Sequence, residues 1–322
     1  MAEECLARDV PDVHIACAAD DKFVPHCAAM IDSAISHHEV GKLTIHFLHD
    51  SMIDRALLDQ LAGFVVGRGA GWQAHEVCER RQSEIEPNRR FGRVAWYRVL
   101  LPELVPDLDR ILYLDADTIV CRPLTELWEL ELEGFPVAAV VNPLYPFMDQ
   151  GFLSDLGLNG DDYFNSGVLL MDLARWRSQG FTDKVLSISK VQYSQEWPDQ
   201  NALNCAFRSN WLALHPKWNM QNTFFDLPPR SLPLSIGTFG LSRDEVSIVH
   251  FIGPYKPWHY RCKHRLRHRY WDHLQNTPWS GKTMEGVTFK HKLLRLLPEQ
   301  FGWRLDGVVR RALTKMKWFS AY

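Results

Sequence analysis

No two cysteines of this 322-residue chain stand at CxxC spacing, and the seven present (Cys5, Cys17, Cys27, Cys78, Cys121, Cys205 and Cys262) are odd in number and widely scattered. A disulfide framework is therefore not expected, and a reducing compartment fits better. No stretch approaches 18 uncharged apolar residues, so no membrane-spanning helix is expected. The opening residues, Met1-Ala-Glu-Glu-Cys-Leu-Ala-Arg-Asp-Val-Pro, are acidic and carry no apolar run, which argues against a secretory signal. The Gly-rich break from Gly67 to Gly71 lacks the spacing of a phosphate-binding fingerprint, and the chain contains no internal repeat or low-complexity segment.

What is present is the composition of a folded protein, with 46% hydrophobic residues and 12% aromatics. The length suffices for one large α/β domain or two small ones, with a substantial core. A net charge of -3 conceals an asymmetry. Residues 254–322 hold 15 Lys and Arg against 4 Asp and Glu, whereas residues 1–253 hold 21 against 35. The C-terminal segment is thus a separate electrostatic object.

Apolar periodicity predicts strands over residues 13–19, 43–49, 72–77, 111–114, 136–141, 163–172 and 248–252. Helical patterns fall over 24–35, 53–64, 94–104, 173–180 and from 197, and residues 142–162 read as loop. Strands alternating with helices call for a mostly parallel α/β sheet covered on both faces. In such sheets ligands bind at the carboxyl ends of the strands, where Asp20, Asp21, Asp115 and Asp117 all fall.

Asp115 and Asp117 follow the strand Ile111-Leu-Tyr-Leu114, separated by one residue. In extended backbone residues i and i+2 point the same way, and converging carboxylates suit a hard divalent cation such as Mg²⁺ or Mn²⁺. The alternative is two acids solvating a turn. His250, in a short strand, could complete a metal shell, with Gly253 letting backbone approach a phosphate and Lys256 neutralising it, or it is an ordinary structural histidine. Asp20 and Asp21 sit at a strand-to-helix turn and could accept from a ribose hydroxyl or a base N–H, or cap the helix. Asp199 and Gln200 follow Pro198 at a helix start, and capping explains one of them but not both. Arg98, beside Trp96 and Tyr97, is a surface arginine or, turned inwards, a donor fork for a sugar hydroxyl or an active-site carboxylate.

Taken in order, Ala18-Ala-Asp-Asp21, Trp96-Tyr-Arg98, Leu112-Tyr-Leu-Asp-Ala-Asp117, Phe164-Asn-Ser-Gly-Val-Leu-Leu170, Asp199-Gln200 and His250-Phe-Ile-Gly-Pro-Tyr-Lys-Pro-Trp258 resemble the motifs of glycosyltransferase family 8. That family includes the retaining galactosyl- and glucosyltransferases of bacterial lipopolysaccharide, and glycogenin. The resemblance runs from about Val13 to about Trp258 and implies a Rossmann-like GT-A fold with a UDP-sugar donor. By motif position it implies that Asp115, Asp117 and His250 bind Mn²⁺ (or Mg²⁺) with the donor diphosphate, and that Gly253 and Lys256 hold phosphate oxygens. It places Ala18, Asp20, Asp21 and Phe23 around the uridine, and Arg98, Asn165, Asp199 and Gln200 around the transferred sugar. The chain departs from the family's galactosyltransferases at Asn142, where those carry an Asp facing the sugar substrates. The family's candidate nucleophile position holds Gln200, whose amide is a poor nucleophile, so attack from the face the leaving group vacates is expected over a covalent intermediate.

The expected organisation is a GT-A catalytic domain over residues 1–260 and a basic, aromatic, helical extension over 261–322. In the extension Phe301, Leu305, Val308, Val309, Ala312, Leu313 and Met316 recur at helical spacing among Arg304, Arg310, Arg311, Lys315 and Lys317, ahead of Trp318-Phe319. Such a pattern describes an interfacial helix on anionic lipid, and its alternative is a helix docked on the catalytic domain. Nucleic acid is not an expected partner, since no recognisable nucleic-acid fold accompanies the charge. The expected protein is a retaining, Mn-dependent transferase of galactose or glucose to a glycan or glycolipid such as lipopolysaccharide core. It would be cytoplasmic, on the inner face of the cytoplasmic membrane. The competing readings are a sugar-nucleotide hydrolase and a non-catalytic sugar-nucleotide or glycan binding protein.

Overall fold

The computed structural model describes residues 12–85, 92–144, 148, 150–158, 162–190, 198–226, 232, 244–289 and 292. Strand β1 (Val13–Ala18) is apolar on both faces except at the half-buried His14, as suits a strand that helices cover from both sides. It pairs in parallel with β2 (Leu43–His49), which pairs in parallel with β3 (Gly71–Glu76). On its other side β1 lies parallel to β4 (Arg110–Leu114). The chain then leaves the sheet for the short strand β5 (Thr118–Val120) and returns as β6 (Val137–Val141) and β7 (Phe164–Asp172). With β8 (Leu212–Ala213) the order is β3-β2-β1-β4-β7-β6-β8, in which β7 runs antiparallel to both its neighbours and the other pairs are parallel. A second sheet of three strands places β10 (Ile248–His250) between β5 and β9 (Met220–Gln221).

This topology gathers the site at one edge. β1 to β4 share a direction, so the residues after each of them emerge on the same side. Since β7 runs the other way, its opening residues Asn165, Ser166 and Gly167 lie at that edge, beside the end of β4. The β6–β7 register shifts between Ala139 and Val140, from Leu169 to Asn165 as partner, so a bulge frees Ser166 and Gly167 from β6. Bulges beside active sites re-aim side chains in this way.

The helices Val24–Ile35 and Leu173–Gln179 follow the sequence closely, and others differ from it. The helix Arg55–Gly67 begins two residues later than its pattern suggests, because Asp54 caps it by accepting from Ala56 N at 2.8 Å. The helix read over 94–104 is a 3-10 helix at Val94–Leu100 followed by a single α-turn at Leu101–Leu104. Pro102 explains the break, since it lacks an N–H to continue a helix and suits the start of the next. Within the expected loop 142–162 a short helix forms at Gln150–Asp155.

Helix Arg267–Leu274 packs on the almost wholly buried helix Val24–Ile35. His273 Nδ1 lies 2.9 Å from the buried Asp32 Oδ2, Asn276 donates to the same oxygen at 3.0 Å, and Arg68 lies 3.2 Å from Oδ1. The amphipathic stripe from Phe301 to Met316 and the Trp318-Phe319 pair lie outside the described residues. Among the described residues no helix is long and apolar enough to cross a membrane.

Candidate active site

Asp115 and Asp117 do converge, but through a turn. Thr118 N donates to Asp115 O at 3.1 Å, closing a tight corner that carries the chain from β4 in the large sheet to β5 in the small one. The extended geometry expected from the sequence does not form, because the two strands belong to different sheets. The third member arrives on β10, antiparallel to β5 with His250 opposite Thr118. His250 Nε2 lies 3.2 Å from Asp117 Oδ1 and 3.9 Å from Asp115 Oδ2, and one ligand atom from each of the three side chains lies within 4.8 Å of the others. Two carboxylate oxygens and one imidazole nitrogen are a donor set that fits a divalent cation.

The surroundings prepare that set. Lys256 pairs with Asp117 and also donates to Phe251 O at 2.8 Å. Burial pushes the Asp117 carboxyl up, but Lys256 and His250 outweigh it and hold the group well below the usual carboxylate range. Arg98, buried rather than on the surface, donates to Asp115 Oδ1 at 2.9 Å, lies 3.5 Å from Asp199 Oδ2 and stacks its guanidinium 4.4 Å from the Tyr113 ring. Of its two readings the structure selects the fork that holds a carboxylate. Gly167 forms the floor, and its O accepts from Asp115 N at 2.8 Å.

On the far side of Arg98, the first turn of helix Pro198–Phe207 delivers Asp199 and Gln200, both buried. Burial raises the Asp199 carboxyl above its ordinary range, with Arg98 opposing and Asp115 adding to the rise. Gln200 Oε1 accepts from Ser166 N at 3.1 Å and from Asn165 Nδ2 at 3.2 Å, and its Nε2 donates to Tyr163 Oη at 3.0 Å. The bulge in β7 is what turns Asn165 and Ser166 toward this helix.

The third group comes from the turn after β1. Ala18 ends that strand, Asp20 braces the turn by accepting from Phe23 N at 3.0 Å, and Asp21 ties the turn to the next helix by accepting from its cap residue, Asp54 N, at 2.9 Å. Among the described contacts neither aspartate reaches the Asp115, Asp117 and His250 group. Phe23 meets Trp258 edge-on at 5.8 Å, and His26 stacks flat on Trp258 at 3.6 Å. These rings join the turn to the segment from Gly253, whose φ of 87° favours glycine, to Lys256 and Trp258. The sequence reading missed His26, Tyr113, Tyr163 and Asn219. Asn219 Oδ1 lies 2.9 Å from His250 Nδ1, and Asn219 is fully buried. A polar residue inside the otherwise apolar Trp218-Asn-Met220 was the only signal for it.

The family model for glycosyl transferase family 8 matches residues 14–262. General stress protein A of Bacillus subtilis (strain 168) is 28% identical over 275 residues, which span 83% of this chain and 95% of that protein. Lipopolysaccharide 1,2-glucosyltransferase of Escherichia coli (strain K12) is 31% identical over 216 residues, spanning 64% of this chain and 62% of that one. An active-site mutant of LgtC superposes with a TM-score of 0.72 at 25% identity, over 83% of this chain and 96% of LgtC. Galactosyltransferase LgtC in complex with donor and acceptor sugar analogues superposes with a TM-score of 0.69 at 26% identity, over the same shares of both chains. The architecture is the GT-A fold of LgtC, and the motifs stand in family order along a match that covers most of the sequence: the chain belongs to glycosyl transferase family 8.

Proposed function

We propose that this protein is a retaining hexosyltransferase that moves galactose or glucose from a UDP-sugar to a saccharide or glycolipid acceptor, with lipopolysaccharide core as the leading acceptor class. The observation that carries the reading is the meeting, at the carboxyl edge of the sheet, of Asp115, Asp117, His250 and Lys256 with the Arg98, Asp199 and Gln200 cluster. Asp115, Asp117 and His250 would hold Mn²⁺ or Mg²⁺, which when bound supplies positive charge to the departing diphosphate. Lys256 brings a fixed ammonium to the same phosphates, and Gly253 allows backbone to approach them. Ala18, Asp20, Asp21 and Phe23 line the nucleoside side, where Phe23 presents a partly exposed ring.

The transferred sugar passes through an oxocarbenium-like state with positive charge at its anomeric carbon. Asp199 and Gln200, with Asn165, supply oxygens to that charge, and Arg98 holds Asp115 and Asp199 in register. Gln200 Oε1 already accepts two hydrogen bonds, which lowers what little nucleophilicity an amide has and favours same-face attack. The basic residues beyond the docked helix Arg267–Leu274 would seat the enzyme on anionic lipid at the inner face of the cytoplasmic membrane, as an extension of the catalytic domain.

The test is product analysis with UDP-galactose and UDP-glucose, Mn²⁺ and a lipooligosaccharide acceptor. Sugar appearing on the acceptor with retained configuration is expected, and Asp115→Asn or Asp117→Asn abolishes it. Release of free sugar whatever the acceptor would instead favour a hydrolase, and full turnover by either Asn variant would sink the metal assignment. Removal of residues 287–322 is expected to weaken binding to anionic liposomes, and unchanged binding would refute the membrane role.

A further inference from the structure

Behind His250 runs a line of buried amides that crosses from the metal side of the site to the sugar side. His250 Nδ1 lies 2.9 Å from Asn219 Oδ1, Asn219 Nδ2 donates to Asn165 Oδ1 at 2.8 Å, and Asn165 Nδ2 reaches Gln200 Oε1 at 3.2 Å. An Asn or Gln amide can be turned end for end, so the direction of such a line needs an anchor. Two backbone groups supply it. Gly167 N donates to Asn165 Oδ1 at 3.0 Å and Ser166 N donates to Gln200 Oε1 at 3.1 Å.

A backbone N–H only donates, so the Asn165 atom that faces Gly167 N is the oxygen. That same oxygen faces Asn219, which must therefore present its NH₂ there and its oxygen to His250. An oxygen facing His250 Nδ1 requires that Nδ1 carry the hydrogen. In a neutral imidazole the lone pair is then on Nε2, the atom that faces Asp117 and Asp115.

The carboxylates alone would favour the opposite arrangement. With the hydrogen on Nε2, His250 would donate to Asp117 Oδ1 at 3.2 Å and offer no lone pair on the side where the three ligand atoms converge. That tautomer would set the Nδ1 lone pair against the Asn219 oxygen, a repulsion between two buried residues.

We infer that Asn219 is a positioning residue: it fixes the Nδ1–H tautomer of His250 and so keeps Nε2 available as a ligand for the divalent cation. The inference rests on the metal reading given above. Orienting partners of this kind are worth about 10- to 100-fold in metal affinity.

The experiment is titration of the full chain with Mn²⁺, followed by the electron paramagnetic resonance of the free ion, for the parent, Asn219→Leu and Asn219→Asp. Asn219→Leu removes the acceptor at similar volume and is expected to weaken Mn²⁺ binding by about 10- to 100-fold. Asn219→Asp keeps an oxygen for Nδ1–H and is expected to stay within about threefold of the parent. A residue that merely packs would shift the unfolding midpoint of the Leu variant and leave its Mn²⁺ constant unchanged, and that result overturns the inference. Parent protein that binds no Mn²⁺ overturns the metal reading itself, and this inference with it. Should Asn219→Leu fail to fold, nitrogen-15 shifts of the His250 ring in the metal-free parent decide instead. Protonated Nδ1 with bare Nε2 is expected, and the reverse overturns the assignment.

Discussion

A Cβ built on Gly167 would lie 2.2 Å from His250 Cε1 and 2.7 Å from Asp115 Oδ2, closer than such atoms approach in proteins. Neither neighbour can give way cheaply, since His250 is tied to Asn219 and Asp115 to Arg98. Gly167→Ala is therefore expected to lower Mn²⁺ affinity at least about tenfold, measured by calorimetric titration, because the ligand geometry is displaced. Parent-like affinity would show that the pocket floor has slack. The paired aspartates were legible in the sequence because their chemistry is written in a spacing of two. Arg98 was legible only as two open readings, since nothing local decides whether an arginine on a short helix turns in or out. Asn219 showed only as a polar residue between Trp218 and Met220, with no hint of its partner. Its part depends on a 3-10 turn, the β7 bulge and β10 meeting in space, and residues 165, 219 and 250 carry no mutual spacing in the chain.

Among elements, the contact between helices Val24–Ile35 and Arg267–Leu274 centres on one buried carboxylate. Asp32 is shared by Arg68, His273 and Asn276. Nearby, Tyr270 Oη lies 2.7 Å from His26 Nδ1, whose ring stacks on Trp258. Removing a buried charge that several groups address is costly, so Asp32→Ala is expected to lower unfolding free energy by roughly 3 kcal/mol. Urea denaturation checks the size. Hydrogen exchange checks the place, which should be residues 267–276, and protection unchanged there would mean that apolar packing alone docks the helix. Strands and the first two helices were readable from periodicity, which is a local property. The β4-to-β5 corner was not, because the spacing of Asp115 and Asp117 suggested extended backbone and only pairing with β10 shows the chain entering a second sheet.

At the scale of the whole molecule, acid should unfold this protein earlier than its carboxylates alone would require. Burial pushes His26 down to about 3, with Lys282 adding and Asp117 opposing, and it pushes His46 down to about 3 between His14 and His75. Both titrate near 6.5 in the unfolded chain, so that chain binds the extra protons between those values. Their contribution to stability is complete above pH 6.5 and drains away as the pH falls toward 3. Each histidine should remove roughly 2 kcal/mol between pH 7 and pH 5. Asp199, raised by burial, acts in the opposite sense, adding stability as the pH falls in the more acidic range above 3.8. Urea midpoints at pH 7 and pH 5 test the balance, and equal or greater stability at pH 5 would contradict it. The order of motifs along the chain carried the family, and with it the GT-A sheet, because three of them, at Ala18, Leu112–Asp117 and Phe164–Leu170, close or open strands of that sheet at one edge. Asn142, where the sequence reading found a departure from the family's pattern, is buried. The most direct test of the central claim is calorimetric titration of the full chain with UDP-galactose and UDP-glucose, with and without Mn²⁺, repeated on Asp117→Asn. Binding of one UDP-hexose that needs Mn²⁺ and disappears in the variant is the result predicted. Equal binding without metal, or binding that survives in Asp117→Asn, would contradict it.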